Sequence, residues 1–250
     1  MDFPTDKQVE VYVERITTDY TILREKLQKE RSWKINDSRI VIFTKGIRIL
    51  NGIQIGLSHL HRDLKENTWW ENRFPNDVVT KENRIALRAD FDNFLRNALI
   101  SEIYGIFEST VRILANTYSP TKFSNTIIFS KIYPNFLQEL KLEKFVPLID
   151  IWSNIRNSIH NDGIYLPPKK IDRHIPYDGQ IYAFCVGKPI IHAGWKDLCE
   201  LSYELGKATF QIVISHQISS IVFIEEPGSK YWDHKHKTKS EWESLFANDS

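Results

Sequence analysis

The tightest constraint on the fold of this chain lies in residues 86–117. Phe91, Leu95, Leu99, Ile103, Phe107, Val111 and Leu114 recur at steps of three and four, which places them all on one face of a single long α-helix. A stripe that long needs other apolar surfaces to cover it, and the rest of the chain offers them at the same period. Val9, Val13, Ile16, Tyr20, Leu23 and Leu27 mark a helix over 6–33. Ile42, Ile49, Ile53 and Leu57 mark another over 37–65, with Asp37 or Ser38 as its cap. Gly46, Gly52 and Gly56 interrupt that second pattern. Each costs about 1 kcal/mol in a helix interior, so either they admit a close neighbouring helix or the segment is broken.

The remaining elements follow from punctuation. Residues 67–83 read as a loop or short turns. Ser119-Pro120 ends the long helix, because the residue before a proline is pushed out of the α region. Shorter helices are expected around 121–131 and 134–141. A further one spans 144–161, with Leu148, Ile151, Trp152, Ile155 and Ile159 on its apolar side. Asp162-Gly163 stops it, glycine being the usual left-handed residue past a helix end.

Residues 163–194 change character. They hold Pro167-Pro168, a turn-like Asp178-Gly179, and β-rich runs (IYAFCV and PII) flanking Gly187-Lys188, which reads as a hairpin. A last long helix runs from Trp195 to about Phe223. The expected fold is therefore mainly α, a helical bundle with a small β-hairpin inserted before the last long helix. Residues 1–85 form an N-terminal helical extension packing on the bundle, 86–224 the main helical domain, and 225–250 a polar C-terminal tail.

Composition excludes several classes. The chain has 33 Lys+Arg against 32 Asp+Glu, a net charge of +1, so nucleic-acid binding would need a local site rather than a broadly basic surface. Two cysteines cannot build a disulfide scaffold or a cysteine-rich zinc module. No stretch approaches about 18 unbroken apolar residues, so no membrane span is expected. The N-terminus has early acids and no apolar core of a secretory signal. The expected address is the cytoplasm, with Cys185 and Cys199 reduced.

The informative segment for chemistry is Asn154 to Gly163, NIRNSIHNDG. On a helix Arg156 and His160 stand four apart and share a face. Histidine titrates near neutral pH and can move a proton. Arginine stays charged, and its planar fork suits phosphate oxygens. Such a pair at a helix end fits phosphodiester cleavage without a metal. The plainer alternative is that His160 helps end the helix while Arg156 binds a nearby carboxylate. Glu108 and Arg112, at i and i+4, can pair with each other, or the acid could hold Arg156. His59 and His61 point in different directions on a helix, and Asp233, His234 and His236 sit in a charged run, so neither set makes a convincing metal site. No phosphate-binding GxxxxGK[ST] loop, GxSxG or HExxH occurs. No cofactor and no metal are expected.

The stretch resembles the motif of the HEPN superfamily, all-helical nucleotide- and RNA-binding domains. Arg156, Asn157 and His160 match its arginine, polar residue and histidine in type and order, and Asn161-Asp162-Gly163 resembles its exit. The helix with Glu108 and Arg112 in IFESTVRIL is similar to the family's central acidic helix. A hairpin after the motif and a terminal amphipathic helix also recur there. The likeness covers roughly 90–224. The spacer between Arg156 and His160 is shorter here than is usual in the family's nucleases.

The resemblance implies a metal-independent endoribonuclease of a prokaryotic defence or toxin system, working by 2′-hydroxyl attack on the adjacent phosphate. His160 is then the general base or acid, Arg156 stabilises phosphoryl charge, Asn157 orients the pair, and Glu108, Arg112 and Asn161 support them. RNA or a nucleotide is the implied ligand. A homodimer or a HEPN-like partner would bring two motifs to one cleft, and a defence-system partner protein is a further expectation. The alternative is a non-catalytic HEPN-like module that binds or assembles with a partner protein.

Overall fold

The computed structural model describes residues 6–74, 79–124 and 128–227. The described chain is mainly α. Helices α1 (Asp6–Arg31), α2 (Ser38–His61), α3 (Asn67–Arg73), α4 (Lys81–Tyr118), α5 (Pro120–Phe123), α6 (Phe129–Glu139) and α7 (Val146–Ile159) precede an antiparallel hairpin, β1 (Arg173–Tyr177) and β2 (Gln180–Phe184). The last long helix, α8 (Trp195–Ile214), and the short α9 (His216–Ser219) follow it.

The predicted stripe lies on α4, which is 38 residues long and begins at Thr80, whose hydroxyl accepts from the Asn83 N–H. Leu95, Leu99, Ile103, Phe107, Val111 and Leu114 are all buried along it. α1 packs on α2 and α8, α2 on α4, and α4 on α6, α7 and α8. One continuous apolar core runs from Val9 to Ile224. At its centre Trp152 of α7 stacks on Tyr104 of α4 at 6.4 Å and donates its indole N–H to the Leu201 carbonyl of α8.

α2 is unbroken through its three glycines, and two of them admit a neighbour. Tyr20 of α1 lies between Gly46 of α2 and Gly206 of α8, and its hydroxyl donates to the Ser202 carbonyl at 2.9 Å. A Cβ on Gly46 would stand 2.7 Å from the Tyr20 ring, and one on Gly206 2.4 Å. Gly56 admits Leu95 in the same way, while Gly52 faces open space. α2 is also, among the described residues, the one helix long and apolar enough by length and composition to cross a bilayer. Its apolar residues Ile40, Phe43, Leu50, Ile53, Leu57 and Leu60 are instead buried against other helices.

Four local features differ from the sequence expectation. Residues 67–73 are helical, because Trp70 buries its ring there and donates its indole N–H to the Leu64 carbonyl. Pro134 sits inside α6 rather than between two helices; a proline removes one ladder bond, and Ile132, Tyr133, Phe136 and Leu137 bury the same face on either side. The hairpin pivots on Asp178-Gly179, not on Gly187-Lys188. Both turn residues have positive φ, the backbone of the two-residue turn that matches strand twist. Gly187-Lys188 instead bonds back to Tyr165. Finally α8 ends at Ile214, where Ser215 takes an extended ψ of 146° and redirects the chain.

That redirected segment docks on the start of α2. Asp37 caps α2 through the Arg39 N–H, and Arg39 lies fully buried beside it. The guanidinium donates to both Asp37 oxygens and to the carbonyls of Ile218 and Ile221 at 2.9 Å each. Glu225 bridges to Asp37, and the buried Glu226 accepts from Ser38 and Lys45. Residues 225 and 226 are thus part of the packed body. Residues 228–250, which include Asp233, His234 and His236, lie outside the described residues.

Candidate functional site

The NIRNSIHNDG segment forms the last two turns of α7 and its exit. The helix closes by two reversed bonds. The Gly163 N–H reaches back to the Ser158 carbonyl at 3.0 Å, and the Asp162 N–H to Ile159 at 3.2 Å, a Schellman closure. Asp162 itself takes the left-handed position at φ 55°, and Gly163 follows at 79°. Asn154 and Ser158 are buried and bond along the helix, so the opposite side carries the polar groups. At 3.6 residues per turn, Asp150, Ser153, Arg156, Asn157 and His160 fall within about a third of the helix circumference.

Arg156 is half-buried, while Asn157, His160 and Asn161 are exposed. The only hydrogen bond of the Arg156 guanidinium to a described residue is a long one, 3.4 Å from Nη1 to Asn157 Oδ1. No carboxylate stands within ion-pair distance of it among the described residues. Asn161 donates to the Asn157 carbonyl at 3.2 Å. The His160 ring has no hydrogen bond, ion pair or ring contact with a described residue.

Glu108 and Arg112 pair with each other on α4, at 3.0 Å and 2.6 Å, and the guanidinium lies 5.1 Å over the Phe129 ring. Glu108 therefore does not take up Arg156. The charges of Glu108 and Arg156 both bear instead on the phenol of Tyr104. Burial, the largest influence, pushes the Tyr104 phenol up in pKa. Next along α7, Asp150 accepts from the Tyr133 hydroxyl and from Arg173 Nη2 at 2.9 Å. Burial, then the Asp150 charge and hydrogen bond, raise Tyr133 well above the ordinary phenol range.

The face thus gathers residues that the sequence reading did not single out: Tyr104, Tyr133, Asp150, Ser153 and Arg173. Asp150 and Ser153 precede Arg156 at steps of three, a signal that local spacing carries. Arg173 arrives from β1, and no local pattern points to it. Three other histidines have partners of their own. His59 pairs with Asp63 at 2.8 Å, His61 with Glu10 at 2.7 Å, and His192 accepts from the Ala183 N–H and packs on Tyr182. Cys199 is buried, and burial raises its thiol to about 12. Among the described residues no group of three or more His, Cys, Asp or Glu is placed to hold a metal ion.

No family model, curated protein or solved structure matches the chain.

Proposed function

We propose that the chain is a HEPN-like RNA-binding protein that cleaves single-stranded RNA without a metal, in a cytoplasmic defence or toxin setting. One observation carries this reading: a half-buried Arg156 without a carboxylate partner, one helical turn from an exposed and unpartnered His160. A guanidinium held half out of water without an anion is a ready site for a phosphate. A histidine at the same helix end can carry the proton that cleavage must move.

In this reading His160 accepts the proton of the 2′-hydroxyl, and the freed oxygen attacks the adjacent phosphorus. The bond to the 5′-oxygen breaks, and that oxygen takes a proton from an acid. The products are a 2′,3′-cyclic phosphate and a 5′-hydroxyl. Arg156 grips the non-bridging oxygens as charge builds on them, and Asn157 orients its guanidinium. One His160 supplies one proton carrier, whereas the reaction uses a base and an acid. The second is assigned to His160 of another copy, which makes the active form a homodimer.

The test is incubation of the purified protein with mixed RNA in EDTA, followed by end analysis. Wild type is expected to leave 2′,3′-cyclic phosphate ends, and His160→Ala to cut about 10²–10⁴-fold more slowly. Equal cutting by both forms, or cutting that needs a divalent metal, rejects the assignment. RNA retained without cleavage assigns the chain to the non-catalytic binding class. A monomer by light scattering at micromolar concentration removes the composite site.

A further inference from the structure

The ion pair between Asp150 and Arg173 lies on the same side of α7 as Arg156, about 9 Å along the helix axis at 1.5 Å per residue. Arg173 commits only Nη2 to Asp150, and its Nε and Nη1 have no partner among the described residues. The side chain is 46% exposed, so the free edge of its fork is open to an anion. Asp150 does not cancel that capacity, because the Tyr133 hydroxyl occupies its other oxygen. The carboxylate orients Arg173 rather than competing for its whole fork.

A second observation points the same way. Tyr165 is 3% exposed, and its hydroxyl is buried with no hydrogen-bond partner. A buried hydroxyl left unpaired is a standing penalty. The Tyr165 ring packs on Phe184 at 5.5 Å, and Phe184 stands directly opposite Arg173 in the hairpin register, with Asp172 and Asp150 as the neighbouring carboxylates. The Tyr165 backbone is fixed on both sides, its N–H donating to the Lys188 carbonyl and its own carbonyl accepting from Gly187. The phenol is therefore held as a spare donor on the hairpin face that also carries Arg173, a guanidinium with donors to spare.

We infer that Arg173 and Tyr165 form a second phosphate subsite, which holds a backbone phosphate of the same single-stranded RNA whose reacting phosphate sits on Arg156. The inference rests on the functional reading above and deepens it. Arg173 supplies a fork for two phosphate oxygens, and Tyr165 donates from the inner side. The hairpin thereby acquires a role: β1 carries one of the two arginines to α7 at Asp150, upstream of Arg156. Both contacts are to the backbone, so the grip fixes the position of the strand without reading its bases.

The test measures binding of a fluorescent oligouridylate of about ten nucleotides, within the usual range for a single-strand site. It is run in EDTA, on the His160→Ala background so that the probe survives. Arg173→Ala is expected to weaken binding about tenfold. The slope of log affinity against log salt should fall by about 0.7, the loss of one single-strand phosphate contact. Tyr165→Phe is expected to weaken binding severalfold with the slope unchanged, since no charge is lost. Lys196→Ala, on the exposed face of α8, should match the parent. Arg173 is half-exposed, so its variants should keep the parent melting curve, and Arg173→Lys should restore the salt slope but not the full affinity.

Arg173→Ala within twofold of the parent, with the same slope, overturns the subsite. Arg156→Ala still weakening binding in that experiment would leave the functional reading standing. No binding by any form overturns the functional reading, and the subsite falls with it.

Discussion

Arg39 and Arg156 carry the same guanidinium into opposite surroundings. Arg39 is fully buried and stacks 3.8 Å over the Trp33 ring. It satisfies both oxygens of Asp37 and the carbonyls at the end of α9. Every contact ties the last described segment to the first turn of α2, and no side of the group is open to a ligand. Arg156 is half in water, holds one long bond to its neighbour, and meets no described carboxylate. A buried charge without partners is too costly to persist, so the first arginine must be fully occupied. A half-exposed one can afford to stand ready. The difference separates an arginine that maintains the fold from one placed to bind.

The comparison breaks most visibly at Arg39. Arg39→Met leaves the Asp37 carboxylate buried and unpaired, and the carbonyls of Ile218 and Ile221 lose their donor. Breaking a buried pair of this kind costs about 3–5 kcal/mol, so urea unfolding should show a large fall in midpoint. Adding Asp37→Asn removes the stranded charge and keeps a competent cap. The double variant should therefore recover roughly 0.5–3 kcal/mol relative to additivity. A simple sum of the two single effects would show that the pair is not what holds this junction.

The next effect belongs to the apolar core, where no charge is involved. Gly206→Ala would drive a methyl into the Tyr20 ring, which is already fixed by its bond to Ser202. Overpacking of this kind costs about 1–3 kcal/mol, and Gly46→Ala should behave alike from the other side of the same ring. Gly52→Ala meets nothing within 4 Å and should stabilise α2 by up to about 1 kcal/mol. Thermal melts of the three variants decide it. A destabilised Gly52→Ala would show that helix propensity is not the operative term there.

These two regions also mark how far the sequence could be read. The stripe on α4 and the amphipathic faces of α1, α2, α7 and α8 were legible, because helical periodicity is a local property. The glycines in α2 were legible only as a choice between close approach and a break. The choice depended on Tyr20 and on Gly206, which is more than a hundred residues away. The start of α2 was visible as an Asp37 cap, but the partners of Arg39 lie 179 and 182 residues downstream, and no spacing rule reaches them. At the site, the segment 156–161 stood out by residue type and order. Tyr104, Tyr165 and Arg173 did not, since they meet α7 only through the packing of α4, the loop after α7 and the hairpin.

A smaller effect sits at the far end of α2. Asp63 is held down to about 2 by the Arg62 guanidinium first and by the His59 ring second. A carboxyl depressed in the folded state stabilises it above the unfolded pKa and loses that contribution as pH falls through the folded value. The expected window is therefore pH 4 down to pH 2. The group faces solvent, so its share is small beside that of the buried Asp37. Acid titration of Asp63→Asn should start slightly below wild type at neutral pH, run slightly flatter through that window and converge with wild type near pH 2. A steeper acid limb in the variant would reverse the sign of this argument.

The smallest effect on stability, and the sharpest contrast with Arg39, is expected at Arg156. Arg156→Ala removes one 3.4 Å bond to Asn157 and no ion pair with a described residue. Neighbouring Asn154, Ser158 and the Schellman closure at Gly163 do not depend on it. Substitutions away from buried networks usually stay within about 0.5 kcal/mol, so chemical unfolding of the variant should overlay wild type. Binding of oligouridylate should nevertheless fall, and the salt slope should drop by about 0.7 as one phosphate contact is lost. Arg156→Lys should restore the slope while recovering affinity poorly, because an ammonium cannot reproduce a bidentate grip. A variant that unfolds early would place Arg156 with Arg39 as a residue of the fold. A variant that is stable and binds as before would leave its open fork without a ligand.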